Sequence, residues 1–114
     1  MKHTIDARDQ KIGRLASQAA SILMGKNLAT FAKNTVTPDS VEVVNAKLLE
    51  ITATKKAKTT YVTYTGHRGG LNKETLAHLL ERSGHGEVLR RAVYRMLPDN
   101  KLRDLRMKKL IIKE

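Results

Sequence analysis

The chain has 114 residues, enough for one domain with a real core and too few for two. Lysine and arginine number 22 against 11 acidic residues, a formal net charge of +11; an excess of that size attracts polyanions, nucleic acid being the commonest. Cysteine is absent, which excludes a disulfide framework, cysteine-ligated zinc and a thiol nucleophile.

The opening MKHTIDARDQKIG has no apolar run of a secretory signal, and no stretch approaches the roughly 18 apolar residues of a membrane span. A cytoplasmic protein is expected. With aromatics at 4% the core must be aliphatic. The first strong pattern is KIGRLASQAASILMGK, where Ile12, Leu15, Ala16, Ala19, Ala20, Leu23 and Met24 form a continuous helical stripe and Gly25 supplies the stop. Its alanines let the helix lie close against a flat partner.

After a Pro38-Asp39 turn, SVEVVNA reads as a short strand, and KLLEITA reads as another on Ile51 and Thr52. Lys55, Lys56 and Lys58 then form a lysine patch on an exposed turn. TTYVTYTG is β-branched and aromatic throughout, hence a strand, with Tyr61, Thr63 and Thr65 on one face. GHRGGL must be a loop. NKETLAHLLERSG predicts a helix with Asn72 as N-cap, Leu76, Leu79 and Leu80 as its apolar edge and Gly84 as its end. EVLRRAVYRML predicts a third helix, stopped by Pro98, and DNKLRDLRMKK a short fourth. Helices interleaved with short strands suggest an α/β fold, a three-layer α/β/α sandwich around a small, mostly parallel central sheet. A single domain over residues 1–114 is expected, with a basic C-terminal segment from about residue 90 to 114.

That segment carries nine cations and three acids, net +6, against +5 for residues 1–89. On the third helix Arg90, Arg91, Tyr94 and Arg95 share one face, opposite Val88, Leu89, Ala92, Val93, Met96 and Leu97. The face reads as free of acids, whereas a solvated face normally mixes signs. Arginine's planar fork suits phosphate and stacks on bases or sugars. Beyond Pro98, Lys101, Arg103, Arg106, Lys108 and Lys109 meet only Asp99 and Asp104, and the break turns the chain so that two cationic pieces follow one curved anion. In the loop, His67 and Arg68 stand among Gly69, Gly70 and Gly66, where glycine permits close backbone approach to phosphate.

Catalytic chemistry finds no support. No G-x-x-x-x-G-K-[ST] or G-x-G-x-x-G string exists, the four histidines lack metal-ligand spacing, and no serine sits in G-x-S-x-G. No cofactor, metal or small-molecule substrate is expected. A nuclease on His67 and Arg68 is the weakest reading. A free-standing DNA- or RNA-binding module is the alternative, but a major-groove reader needs Asn or Gln on the third helix, and that face has only Arg and Tyr.

Four strings in order, DARDQKIGRLASQAASILMGKN, VEVVNAKLLEIT, TGHRGGL and AVYRMLPDNKL, make the chain resemble the large-subunit ribosomal protein L-thirteen family across nearly its whole length. The resemblance implies a three-layer α/β/α domain that binds large-subunit ribosomal RNA without catalysis, beside neighbouring large-subunit proteins. The family's Met-Leu-Pro stretch falls on Met96, Leu97, Pro98, Asn100 and Leu102, and its glycine loop on residues 66–71; both are expected to face RNA. Arg95 replaces the family's common Gly, and YTGHRGG replaces a His-Ser-Gly-Tyr-Pro-Gly-Gly form. Bacterial members often run on into a His-Pro-His tail where this chain ends LIIKE, so that tail's contacts are expected to be absent or replaced.

Overall fold

The computed structural model describes residues 1–114. The elements are β1 (Lys2–Asp6), α1 (Ile12–Met24), β2 (Ser40–Val44), a 3-10 turn (Ala46–Leu48), α2 (Ala53–Lys58), β3 (Thr60–Tyr64), β4 (Leu71–Thr75), α3 (Leu76–Met96), α4 (Arg103–Met107) and β5 (Leu110–Ile112). Strands β1, β2 and β5 form a parallel sheet in the order β1-β2-β5, and β3 pairs with β4 in an antiparallel hairpin. The α/β class and the small parallel sheet are as the sequence led one to expect.

Register explains the layering. His3 and Ile5 stand opposite Val41 and Val43 on one side of β2, and Leu110 and Ile112 stand opposite the same two valines on the other. That face joins α1 and α3 in one apolar cluster containing Ile5, Leu15, Leu23, Val41, Val43, Leu79, Leu89 and Leu110. Each buried leucine there contributes about 1.5–3 kcal/mol relative to exposure. Helical cover is found on this face. The opposite face carries Thr4, Glu42 and Ile111, and Ile111 remains 44% exposed. Glu42 is buried at its centre beneath the ammonium groups of Lys113 and Lys2, the latter 2.6 Å away, and hydrogen bonds from those two lysines hold its carboxyl below the usual range.

Helix α1 forms as its stripe dictates: Leu15, Ala16 and Ala19 are fully buried. Gly25 ends it at φ 83°, in the left-handed region, and a Cβ there would collide with the Thr37 methyl. The Asp-Ala and Asn-Ala pairs meet in space. Asn45, itself left-handed at φ 59°, donates its side-chain amide to Asp6 at 3.0 Å, tying the end of β2 to the end of β1 while Ala7 and Ala46 are fully buried.

Three sequence expectations fail locally. Residues 47–53 are no strand: after Asn45 the chain makes the 3-10 turn, and only a single parallel bridge, Lys11 to Glu50, survives. Lys55, Lys56 and Lys58 lie on helix α2 rather than on a turn, because the Thr52 hydroxyl accepts the Lys55 N–H at 3.2 Å and caps it. Residues 72–75 belong to β4, not to a helix N-terminus; Thr60 pairs with Thr75 and Tyr64 with Leu71, so β3's backbone groups outrank the local capping signal of Asn72. The cap is Thr75, whose hydroxyl accepts from His78 N–H at 3.3 Å. Gly84 does break the helix, at φ 82° and ψ −179°, but α3 resumes at once beyond that kink.

Glu74 fastens β4 to α3. It accepts from Arg82 at 2.8 and 3.0 Å, and the His78 ring Nδ1 lies 2.8 Å away. The Arg82 guanidinium first, then His78, lower its carboxyl to about 2. A depressed folded-state value means stability that is present above the unfolded value of 4.5 and lost as pH falls toward about 2. Glu74→Gln is therefore expected to melt below the parent protein at neutral pH, with the gap closing between pH 5 and 2. Thermal melts across that range check it, and a gap independent of pH would show that the cluster does not form in solution.

Candidate nucleic-acid interface

The second half of α3 seats Val88, Leu89 and Val93 in the core, which turns Arg90, Tyr94 and Arg95 outward. Beneath them lies a ring that the sequence did not place there. Tyr61 on β3 is 9% exposed, and the guanidinium carbons of Arg91 and Arg95 each stand 5.1 Å from its centroid. Arg95 is held over the tyrosine face without an acid, so its N–H edge stays available to an anion. Tyr61, Thr63, Arg90, Arg91, Tyr94 and Arg95 line an open basin of about 420 Å³.

The face is not wholly free of acids. Glu87, one turn before Arg91, accepts from its Nε at 3.3 Å. An i, i+4 surface pair of this kind is worth only about 0.3–0.5 kcal/mol, so an incoming phosphate can displace it. Arg90 has no such partner and is exposed.

Past Pro98 the cations divide. Arg103 lies 4.2 Å over the Tyr94 ring, donates to the carbonyls of Pro98 at 3.3 Å and Leu97 at 3.4 Å, and pairs with Asp99 at 3.5 Å. The neighbouring Tyr94 side chain, ahead of the nearby aspartates, raises its pKa. It thus satisfies carbonyls at the end of α3 and fixes Tyr94, more a brace than a free contact. Arg106 leaves the surface altogether. It is 2% exposed, with Nη2 donating to the carbonyls of Lys33 and Thr35. The sequence put it on the cationic face, but the loop at residues 33–37 folds over it. Lys109 is half-buried and donates to the Thr37 carbonyl, whereas Lys101 and Lys108 are exposed.

Helix α2 brings Lys55 to the edge of the face, where Lys55 and Arg95 line one cleft of about 280 Å³; Lys58 is exposed and Lys56 half-buried. The hairpin loop is ordered by Gly66 and Gly69 at φ 88° and 76°, and by the Gly70 N–H to His67 carbonyl bond at 3.0 Å. His67 and Arg68 are exposed at its tip, but the loop lines none of the cavities that the α3 arginines line. No group of three His, Asp or Glu residues is placed to hold a metal ion, and no helix is long and apolar enough to cross a membrane.

Fold and surface together define a small basic α/β domain that stacks arginines of its long third helix and of the segment beyond it on two tyrosine rings. The family model described as Ribosomal protein L13 matches residues 1–113, and the chain belongs to that family. Among its relatives, the large ribosomal subunit protein uL13 of Pelobacter propionicus is 43% identical over 110 residues, 96% of this chain and 77% of the relative. Those of Saccharopolyspora erythraea and Staphylococcus haemolyticus are 41% and 36% identical, covering 95% and 96% of this chain and 72% and 75% of theirs.

Proposed function

We propose that this chain is a structural constituent of the large ribosomal subunit that binds large-subunit ribosomal RNA, supports subunit assembly beside neighbouring large-subunit proteins, and catalyses nothing. The relatives' names supply the assembly; the stacking of Arg91 and Arg95 on Tyr61 carries the contact surface. Arg90, Arg91 and Arg95 take phosphates, and Tyr94, held by Arg103, packs on a sugar or base. Lys55, Lys56, Lys58, Lys101, Lys108 and Lys109 extend the field around them. His67, Arg68, Gly69 and Gly70 form a separate contact on another part of the RNA. The chain acts as one domain whose basic segment from about residue 90 does most of the binding. Recognition is by shape and backbone, because duplex RNA hides its base edges in a deep, narrow groove.

Competition tests this reading. Folded large-subunit RNA should displace the protein from random duplex DNA of equal length across a salt titration. Equal affinity for both would reduce the protein to a generic polyanion binder.

A further inference from the structure

We propose that Arg106, with Lys26 and Lys33, forms a second phosphate pocket, separate from the α3 face, that receives a backbone phosphate of a nucleic-acid strand. The cavity lies between the end of α1, the loop that follows it and the Pro98–Asn100 turn, and has a volume of about 280 Å³. Its cations are Lys26, Lys33 and Arg106; no acid lines it.

Arg106 carries the inference. At 2% exposure it is the largest fully buried side chain, yet no ion pair includes it. Only Nη2 finds partners, two backbone carbonyls at 3.3 and 3.4 Å, and its buried Nε has none. A desolvated cation without a counter-charge is costly, and an apolar residue of similar volume would serve a purely structural role as well or better. An arginine in that position makes sense if an anion completes it. Lys26 and Lys33, both exposed, flank the opening and cannot compensate Arg106; they add to the deficit. Phosphate is the anion a guanidinium fork matches best. Phe31, 40% exposed on the same cavity, offers a face to the attached sugar or base. The space suits one nucleotide unit and not a duplex. The pocket depends on the RNA-binding reading only for what carries the phosphate.

The test uses the full chain in melts with inorganic phosphate against chloride at constant ionic strength. Phosphate should raise the melting temperature of the parent protein by linkage. Arg106→Met should fold, melt no lower than the parent in chloride, and lose the phosphate-specific part of that rise. The paired surface changes Lys26→Ala and Lys33→Ala, which leave the buried arginine in place, should weaken phosphate by about tenfold, the worth of one charge-assisted hydrogen bond. Non-specific stabilisation of the folded state by phosphate's exclusion from the protein surface acts on every variant alike, so the difference reads the pocket. A short single-stranded oligoribonucleotide should displace phosphate from the parent, and should do so equally when Arg90 and Arg95 are changed to glutamate, which separates this pocket from the α3 face. Equal phosphate shifts in parent and both variants would overturn the pocket. Phosphate binding that the oligoribonucleotide fails to displace would overturn the strand as its source, leaving a free-anion site.

Discussion

Changing Arg90 and Arg95 together to glutamate is expected to weaken binding to large-subunit RNA by about a hundredfold at roughly 0.1 M salt. It should also lower the slope of log affinity against log salt by about 2, one for each lost phosphate contact. These two are chosen because neither is tied to a carboxylate, whereas Arg91 pairs with Glu87, so that changing it would also break a contact within α3. The fold should survive. Arg90 is exposed, and Arg95 gives up only its stacking on Tyr61, worth about 0.5–1 kcal/mol. Filter binding at several salt concentrations, with a melt of the same protein, measures both. Affinity within about twofold of the parent would show that RNA does not lie on this face.

The largest loss of stability is expected on the other side of the same helix. Leu89 is fully buried beside Arg90, packed in the cluster that joins α3 to α1 and the parallel sheet. Leu89→Ala should cost about 2–5 kcal/mol, through lost burial and the cavity left behind. In a domain whose total stability is about 5–15 kcal/mol, that is a large share. Urea unfolding should show a lower midpoint with an unchanged slope. A cost below about 1 kcal/mol would mean that α3 is not seated as described, and its arginines would then have no fixed platform.

Much of this was legible from periodicity alone. Helix α1 was readable residue by residue because its apolar positions recur at helical spacing over three turns and end on Gly25. The placement of Arg90, Tyr94 and Arg95 on the open side of α3 follows from the same rule, since Val88, Leu89 and Val93 had to point inward. What escaped the sequence depends on partners distant along the chain. Strand β1 is short and half polar, and only its parallel pairing with β2, nearly forty residues on, makes KHTID a strand. Residues 72–75 look like a helix start until β3 lies alongside them. Tyr61 could be assigned to a strand face, but nothing local says that two arginines thirty residues later will cover it. Arg106 sits in a run that reads as exposed, and its burial is settled by carbonyls more than seventy residues earlier.

Sedimentation with large ribosomal subunits examines the central idea, that the carboxyl-terminal cations are gathered because folded RNA lies against them. The parent protein should pellet with subunits at roughly 50 mM salt and come away progressively as salt rises past about 200 mM, since released counterions drive the contact. The Arg90 and Arg95 double change should stay in the supernatant throughout. A protein that never pellets, or that pellets equally well with both arginines reversed, would contradict it.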